Sequence, residues 1–178
     1  VVLIAFSLMS FLSYSKSSSS IKNSVDSDMK NSAINNSNII SEKLNGYKMA
    51  CAEAALMTRV QSMNWDTQKP ALQGIKSDMG LLRAFVAKPD GSTNYTDDST
   101  SNISDRDYFK QALDGKQSIS DPLISKTDKK LVIVIATPIK DSSNKTVGVL
   151  GATLDGQFLS EISKKISIGK TGYGYILG

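Results

Sequence analysis

The chain has no histidine and a single cysteine, Cys51, among its 178 residues. No internal disulfide can therefore form. A Cys/His zinc site, which needs about four ligands, is out of reach. A nucleophile activated by histidine is excluded as well. Cys51 lies in an alanine-rich helical stretch, MACAEAALM, where a small buried apolar role outweighs a nucleophilic one. No carboxylate pair stands at a telling spacing. The chain is expected to be no enzyme and to need no cofactor or metal. A strongly basic face is also missing. The net charge is +4, but the lysines are scattered and not interleaved with aromatics, so no nucleic-acid partner is expected.

Long apolar runs are scarce too. Only VVLIAFSLMSFLSY, residues 1–14, stays uncharged, and the first charge is Lys16. Fourteen residues fall short of the ~20 that span a bilayer. A transmembrane helix lacking its first turns, a signal-peptide core and a buried helix all fit such a run. The first of these is the working expectation for residues 1–14. The chain begins at Val1 and stops inside a strand-like pattern, which suggests a fragment of something longer.

Residues 15 to 46 are rich in Ser and Asn, a composition found in linkers. Yet apolar residues recur at Ile21, Val25, Met29, Ala33, Ile40, Leu44, Tyr47 and Cys51, mostly three or four apart. That spacing marks one helix face. It predicts a continuous stalk helix to about Met63, packed against the rest of the domain or a second copy. Asp66 or Thr67 can cap a helix at about 68–79 that Gly80 ends. Strands are predicted at about 82–88 and 93–96, with a polar loop from Asp97 to Asn102. Ser104 or Asp105 caps a helix ending near Gly115. Further strands are predicted at 117–125, 130–139 and 146–154, and a helix at 156–166. The apolar run KLVIVIATPI should be covered on both faces, and DSSNK closes an antiparallel hairpin.

The ordered series R-D-Y-F-K-x-A-L-x-G-K, S-D-P-x-I-S, V-I-V-I-A-x-P-I and V-G-V-L-G-A-x-L-D runs from Ser104 to Asp155. It resembles the ligand-binding half of a double Cache (dCache) domain, the extracellular sensor of bacterial methyl-accepting chemotaxis proteins and related receptors. The resemblance covers roughly residues 40 to 178. It implies an α+β fold: a long N-terminal helix, then a PAS-like antiparallel sheet flanked by helices. It places the membrane-distal module at residues 65–166, above a stalk at 15–64. Residues 167–178 would begin a second, membrane-proximal module, with Tyr173–Leu177 as its first strand. It also implies membrane anchoring, an extracytoplasmic sensor and a homodimer formed through the long helix.

In many relatives the matching stretch is R-x-W-Y, and its arginine grips a ligand carboxylate. By that resemblance the candidate ligand-binding residues are Arg106, Tyr108 and Phe109, with Trp65 as a further wall. A guanidinium offers the planar fork of donors that a carboxylate matches. Without the resemblance, a surface salt bridge for Arg106 and core positions for the two aromatics account for the same residues. Asp155 either binds a ligand amino group, as the resemblance implies, or caps the following helix. The amino-acid pattern is otherwise broken. Ser101, Phe109, Gln111 and Leu123 stand where tyrosine, tyrosine, an acid and tyrosine are expected. The ammonium side of an α-amino acid would be poorly met, so an organic acid, amine or nucleobase is expected in place of an ordinary amino acid.

Gly169-Lys170-Thr171 is no phosphate loop, because Lys164 occupies the position of the required glycine. The N-x-S/T triplets at Asn35, Asn94, Asn102 and Asn144 reflect a composition rich in Ser and Asn.

Overall fold

The computed structural model describes residues 2–157, 167–168 and 172–173. Helix α1 (Val2–Ala55) carries the predicted stripe, and the stripe has two fates. Ile21, Val25 and Met29 are exposed. Further along, Ile40 is half-buried, Leu44 and Tyr47 pack on the core, and Cys51 is buried. Burial pushes the Cys51 thiol up to about 12, in keeping with an inert apolar role. Among the described residues no helix is long and apolar enough to cross a membrane.

The helix does not run to Met63 as expected. It stops at Ala55, turns through an extended Met57, and resumes as the four-residue α2 (Thr58–Gln61). No glycine or proline marks the break. What the turn achieves is packing: α2 places Val60 fully inside the core. Tertiary burial thus overrides local helix propensity. Helix α3 (Trp65–Met79) starts earlier than predicted, because Asn64 is the cap and accepts from the Asp66 amide at 3.0 Å. Gly80 closes it with φ 62°, as the sequence indicated. Buried Gln68 donates its amide to the Val60 carbonyl at 2.7 Å, which meets the hydrogen-bonding demand of both groups.

One antiparallel sheet of seven strands follows, in the order β3-β2-β1-β7-β6-β4 with β5 also on β6. Strands β1 (Arg83–Ala87), β6 (Leu131–Lys140) and β7 (Thr146–Asp155) lie where expected. Two readings need correction. The expected polar loop 97–102 contains β3 (Thr100–Asn102), which pairs with β2 (Ser92–Tyr95). The expected single strand at 117–125 is two short ones, β4 (Ser118–Ile119) and β5 (Leu123–Ile124). Pro122 lies between them and cannot donate to a ladder.

The pleat divides the sheet's residues cleanly. Ala84, Val86, Ile133, Ile135, Leu150 and Ala152 face α1, α2 and α3. Phe85, Tyr95, Val132, Val134, Ala136 and Val149 face the other way, toward the short helix α4 (Asp107–Leu113). The predicted helix at 156–166 lies outside the described residues beyond Gln157. Strand β9 (Gly172–Tyr173) pairs with β8 (Ser167–Ile168) in a separate two-stranded sheet. The rest of the expected strand, 174–177, also lies outside the described residues.

Candidate ligand site

The α4 face of the sheet carries a feature that a plain core would not have. Arg83 sits on β1 in register with Thr153, one pleat from Phe85, and is only 3% exposed. A buried cation must be paired and hydrogen-bonded. Its Nη1 meets Asp97 at 3.2 Å, and its Nη2 meets Asp128 at 2.9 Å and the Ser125 hydroxyl at 2.8 Å. The guanidinium also lies over the Tyr95 ring, 5.2 Å from its centroid. Asp128 is held well below the usual carboxylate range, at about 2, by hydrogen bonding with Ser125 and then with Arg83. The Arg83 Nε–H is buried and has no hydrogen-bond partner among the described residues.

Arg106 stands at the start of α4. Its backbone is extended, with φ −82° and ψ 131°, and forms the N-cap without a side-chain bond. The predicted caps are used elsewhere: the Ser104 hydroxyl donates to Asn102, and Asp105 pairs with Lys126. The half-buried Arg106 donates from Nη2 to the Ile124 carbonyl at 3.2 Å and makes no ion pair among the described residues.

Between these groups lies an inner cavity of about 20 Å³, walled by Arg83, Phe85, Tyr95, Arg106, Tyr108 and Lys126, with Ser125, Thr153 and apolar residues completing it. Outside it opens a cleft of about 360 Å³ that shares Arg106, Tyr108 and Leu123 with the inner cavity and adds Gln111 and three carboxylates, Asp105, Asp107 and Asp121. The inner wall holds three cationic side chains and no carboxylate. The Tyr108 phenol is pushed up by burial, so it stays neutral.

The structure thus brings Arg106 and Tyr108 together at one cavity. Phe109 is 2% exposed and packs in the core beneath it. Asp155 shares the cavity's sheet face, opposite Val132, but lies at the exposed strand end, where its carboxylate accepts from the Gln157 amide at 2.9 Å. Trp65 packs on the opposite face of the sheet, with the long helix, and does not line the cavity. Arg83, Ser125, Lys126 and Thr153 escaped the sequence reading. A signal for Arg83 was present: a charge at an inward position of the otherwise apolar strand β1 (Arg83–Ala87). Among the described residues no cluster of acidic or thiol side chains is arranged to hold a metal.

This combination of a long helix, a curled antiparallel sheet and a cavity under a short helix defines a sensor-domain fold. The Cache domain family model matches residues 17–178, and the chain belongs to that family. It is 33% identical over 75 residues to the methyl-accepting chemotaxis protein McpA of Bacillus subtilis (strain 168), a match covering 41% of this chain and 11% of McpA. In fold it is similar to the ligand-binding domain of the Campylobacter jejuni chemoreceptor Tlp3, solved with 4-methylisoleucine. That likeness has a TM-score of 0.68 at 15% identity and covers 80% of this chain and 64% of the other. It is also similar to the ligand-binding domain of the Pseudomonas fluorescens chemoreceptor CtaA, solved with L-isoleucine. There the TM-score is 0.66 at 18% identity, with 82% and 64% covered. The chain therefore spans about a tenth of McpA and under two thirds of these solved domains.

Proposed function

We propose that this chain is the extracytoplasmic sensor of a membrane-anchored bacterial chemoreceptor and that it binds a small organic acid, without transforming it, between α4 and the sheet. The observation that carries this reading is Arg106, a cation without an ion-pair partner among the described residues, at the rim of a cavity whose other lining cations, Arg83 and Lys126, are already paired. Arg83 and Lys126 already have carboxylate partners, so Arg106 is the cation of this wall left for a small anion to meet. Apolar walls exclude water and strengthen each charged contact.

The cavity is small as it stands. Ligand entry therefore requires the segment around Leu123–Lys126 to give way, and that segment is tied down by Arg106 and by Lys126. A ligand that favours the opened arrangement shifts the balance between states, which is the requirement for a signal. The exposed Ile21, Val25 and Met29 stripe on α1 suits a second copy of the chain, so the shift would pass down a paired helix. The same sensor could precede a histidine kinase or a diguanylate cyclase. The likeness to McpA favours chemotaxis.

A thermal-shift screen of organic acids, amino acids, amines and nucleobases tests the reading. A true ligand at 100 times its Kd adds about 2.7 kcal/mol of stability. Stabilisation by short carboxylates is expected. Stabilisation by amines alone would overturn the anion reading.

A further inference from the structure

Arg83 belongs to no part of the sequence pattern that points to Arg106, yet it forms the inner wall of the same cavity. Resting on the anion-binding reading above, we infer that Arg83 is a second ligand-binding residue and that it selects a short 2-hydroxy or 2-oxo carboxylate over an α-amino acid. Two of its nitrogens are committed, Nη1 to Asp97 and Nη2 to Asp128 and Ser125. Its Nε–H is buried and unpaired. A buried donor left without an acceptor is costly, so a ligand that supplies one gains.

The acceptor must be neutral. Asp97 and Asp128 together already exceed the charge of Arg83, so a second anionic group placed there would be repelled by both. A carbonyl or hydroxyl oxygen meets the Nε–H without adding charge. An ammonium cannot, because it has donors and no acceptor. The ligand's carboxylate would then sit on Arg106, and its α-oxygen would reach toward Arg83. The walls between are Phe85, Tyr108 and Val134, with no further carboxylate, which suits a short aliphatic body.

Calorimetric titration of the full chain with L-lactate, pyruvate, propionate and L-alanine tests this directly. Propionate carries the carboxylate but no α-oxygen, and alanine replaces that oxygen with an ammonium. Lactate or pyruvate should bind at least ~10-fold more tightly than propionate and more tightly still than alanine, as expected for a hydrogen bond to a charged donor. Arg83→Lys keeps a cation for Asp97 and Asp128 but removes the Nε–H. In that variant the preference over propionate should shrink to within about 3-fold, a fall of at least half a decade. Should the variant fail to fold, the four-ligand comparison on the native chain decides alone. Propionate binding as tightly as lactate and pyruvate, with loss in Arg106→Ala, would overturn the role of Arg83 and leave the anion site standing. Tightest binding of alanine would overturn the selectivity. Absence of binding by all four would overturn both.

Discussion

Arg83 shows how one residue can organise a site that its neighbours in sequence do not announce. A guanidinium at 3% exposure persists only because Asp97, Asp128, Ser125 and the Tyr95 ring surround it. This arrangement carries a pH dependence. The carboxyl of Asp128 titrates near 2 in the folded protein against an ordinary value of 3.8. Between those values the unfolded chain binds a proton that the native chain does not. Stability from this pair is therefore complete above about pH 4 and is lost as the pH falls toward 2. Asp97 is lowered as well, since hydrogen bonds from Ser99 and Arg83 outweigh its burial, so it adds to the same loss. Asp128→Asn should flatten part of the decline in urea midpoint between pH 5 and pH 2.5. An unchanged decline would show that the pair contributes nothing to acid sensitivity.

At the same scale, Arg106 and Tyr108 were singled out through the family resemblance of the R-D-Y-F stretch, not by their spacing alone, and the fold brings both to one cavity. Arg83, Ser125 and Lys126 were not, because strand pairing and a loop crossing assemble them from distant positions. Asp155 and Trp65 show the converse. The sequence gives a residue its type, but only the sheet's pleat and strand ends decide which face and which depth it reaches.

At the scale of elements, long periodic segments were easiest to read. The apolar strands β6 and β7 and most of α1 declare themselves through spacing and composition. The break after Ala55 does not, since Leu56-Met57-Thr58 contains no helix breaker and the cause is Val60 entering the core. Strand β3 was hidden in a polar run because an edge strand needs little apolar surface. Pairing also fixes a requirement at Gly151, which lies opposite Phe85 across β1 and β7. A Cβ at that position would stand 1.9 Å from the Phe85 ring. Phe85 is 1% exposed and has no room to retreat except into the cavity. Gly151→Ala should therefore cost about 1–3 kcal/mol of stability, as overpacked cores do, and weaken ligand binding in calorimetry. A variant with native stability and native affinity would mean that the ring moves freely and that the close packing of β1 on β7 is unimportant.

For the whole molecule, the two faces of the sheet divide the work. One face is bolted to α1, the route to the membrane in the proposed receptor, and the other holds the cavity. The Gln117 side chain links the two sides, donating to the Lys48 carbonyl of α1 and to the Thr137 hydroxyl of β6, each at 2.8 Å. A change at α4 thus has a short physical path to the long helix through the turn that follows α4. The overall architecture could be read from an ordered series of motifs, whereas the chemistry of the cavity could not, because it depends on which charges are left unpaired after folding.

Arg106 is proposed to hold an anionic ligand in the cavity beneath α4. Calorimetric titration of the native chain and of Arg106→Ala with the carboxylate that stabilises the protein most tests it directly. Losing one partner of a buried charged contact costs about 2–5 kcal/mol, so the variant should bind at least ~30-fold more weakly. Its melting temperature without ligand should stay within about 2 °C of the native value, since a half-exposed arginine with one carbonyl contact contributes little to folding. Unchanged affinity in a folded variant would contradict the account, and unfolding of the variant would make Arg106 a structural residue instead.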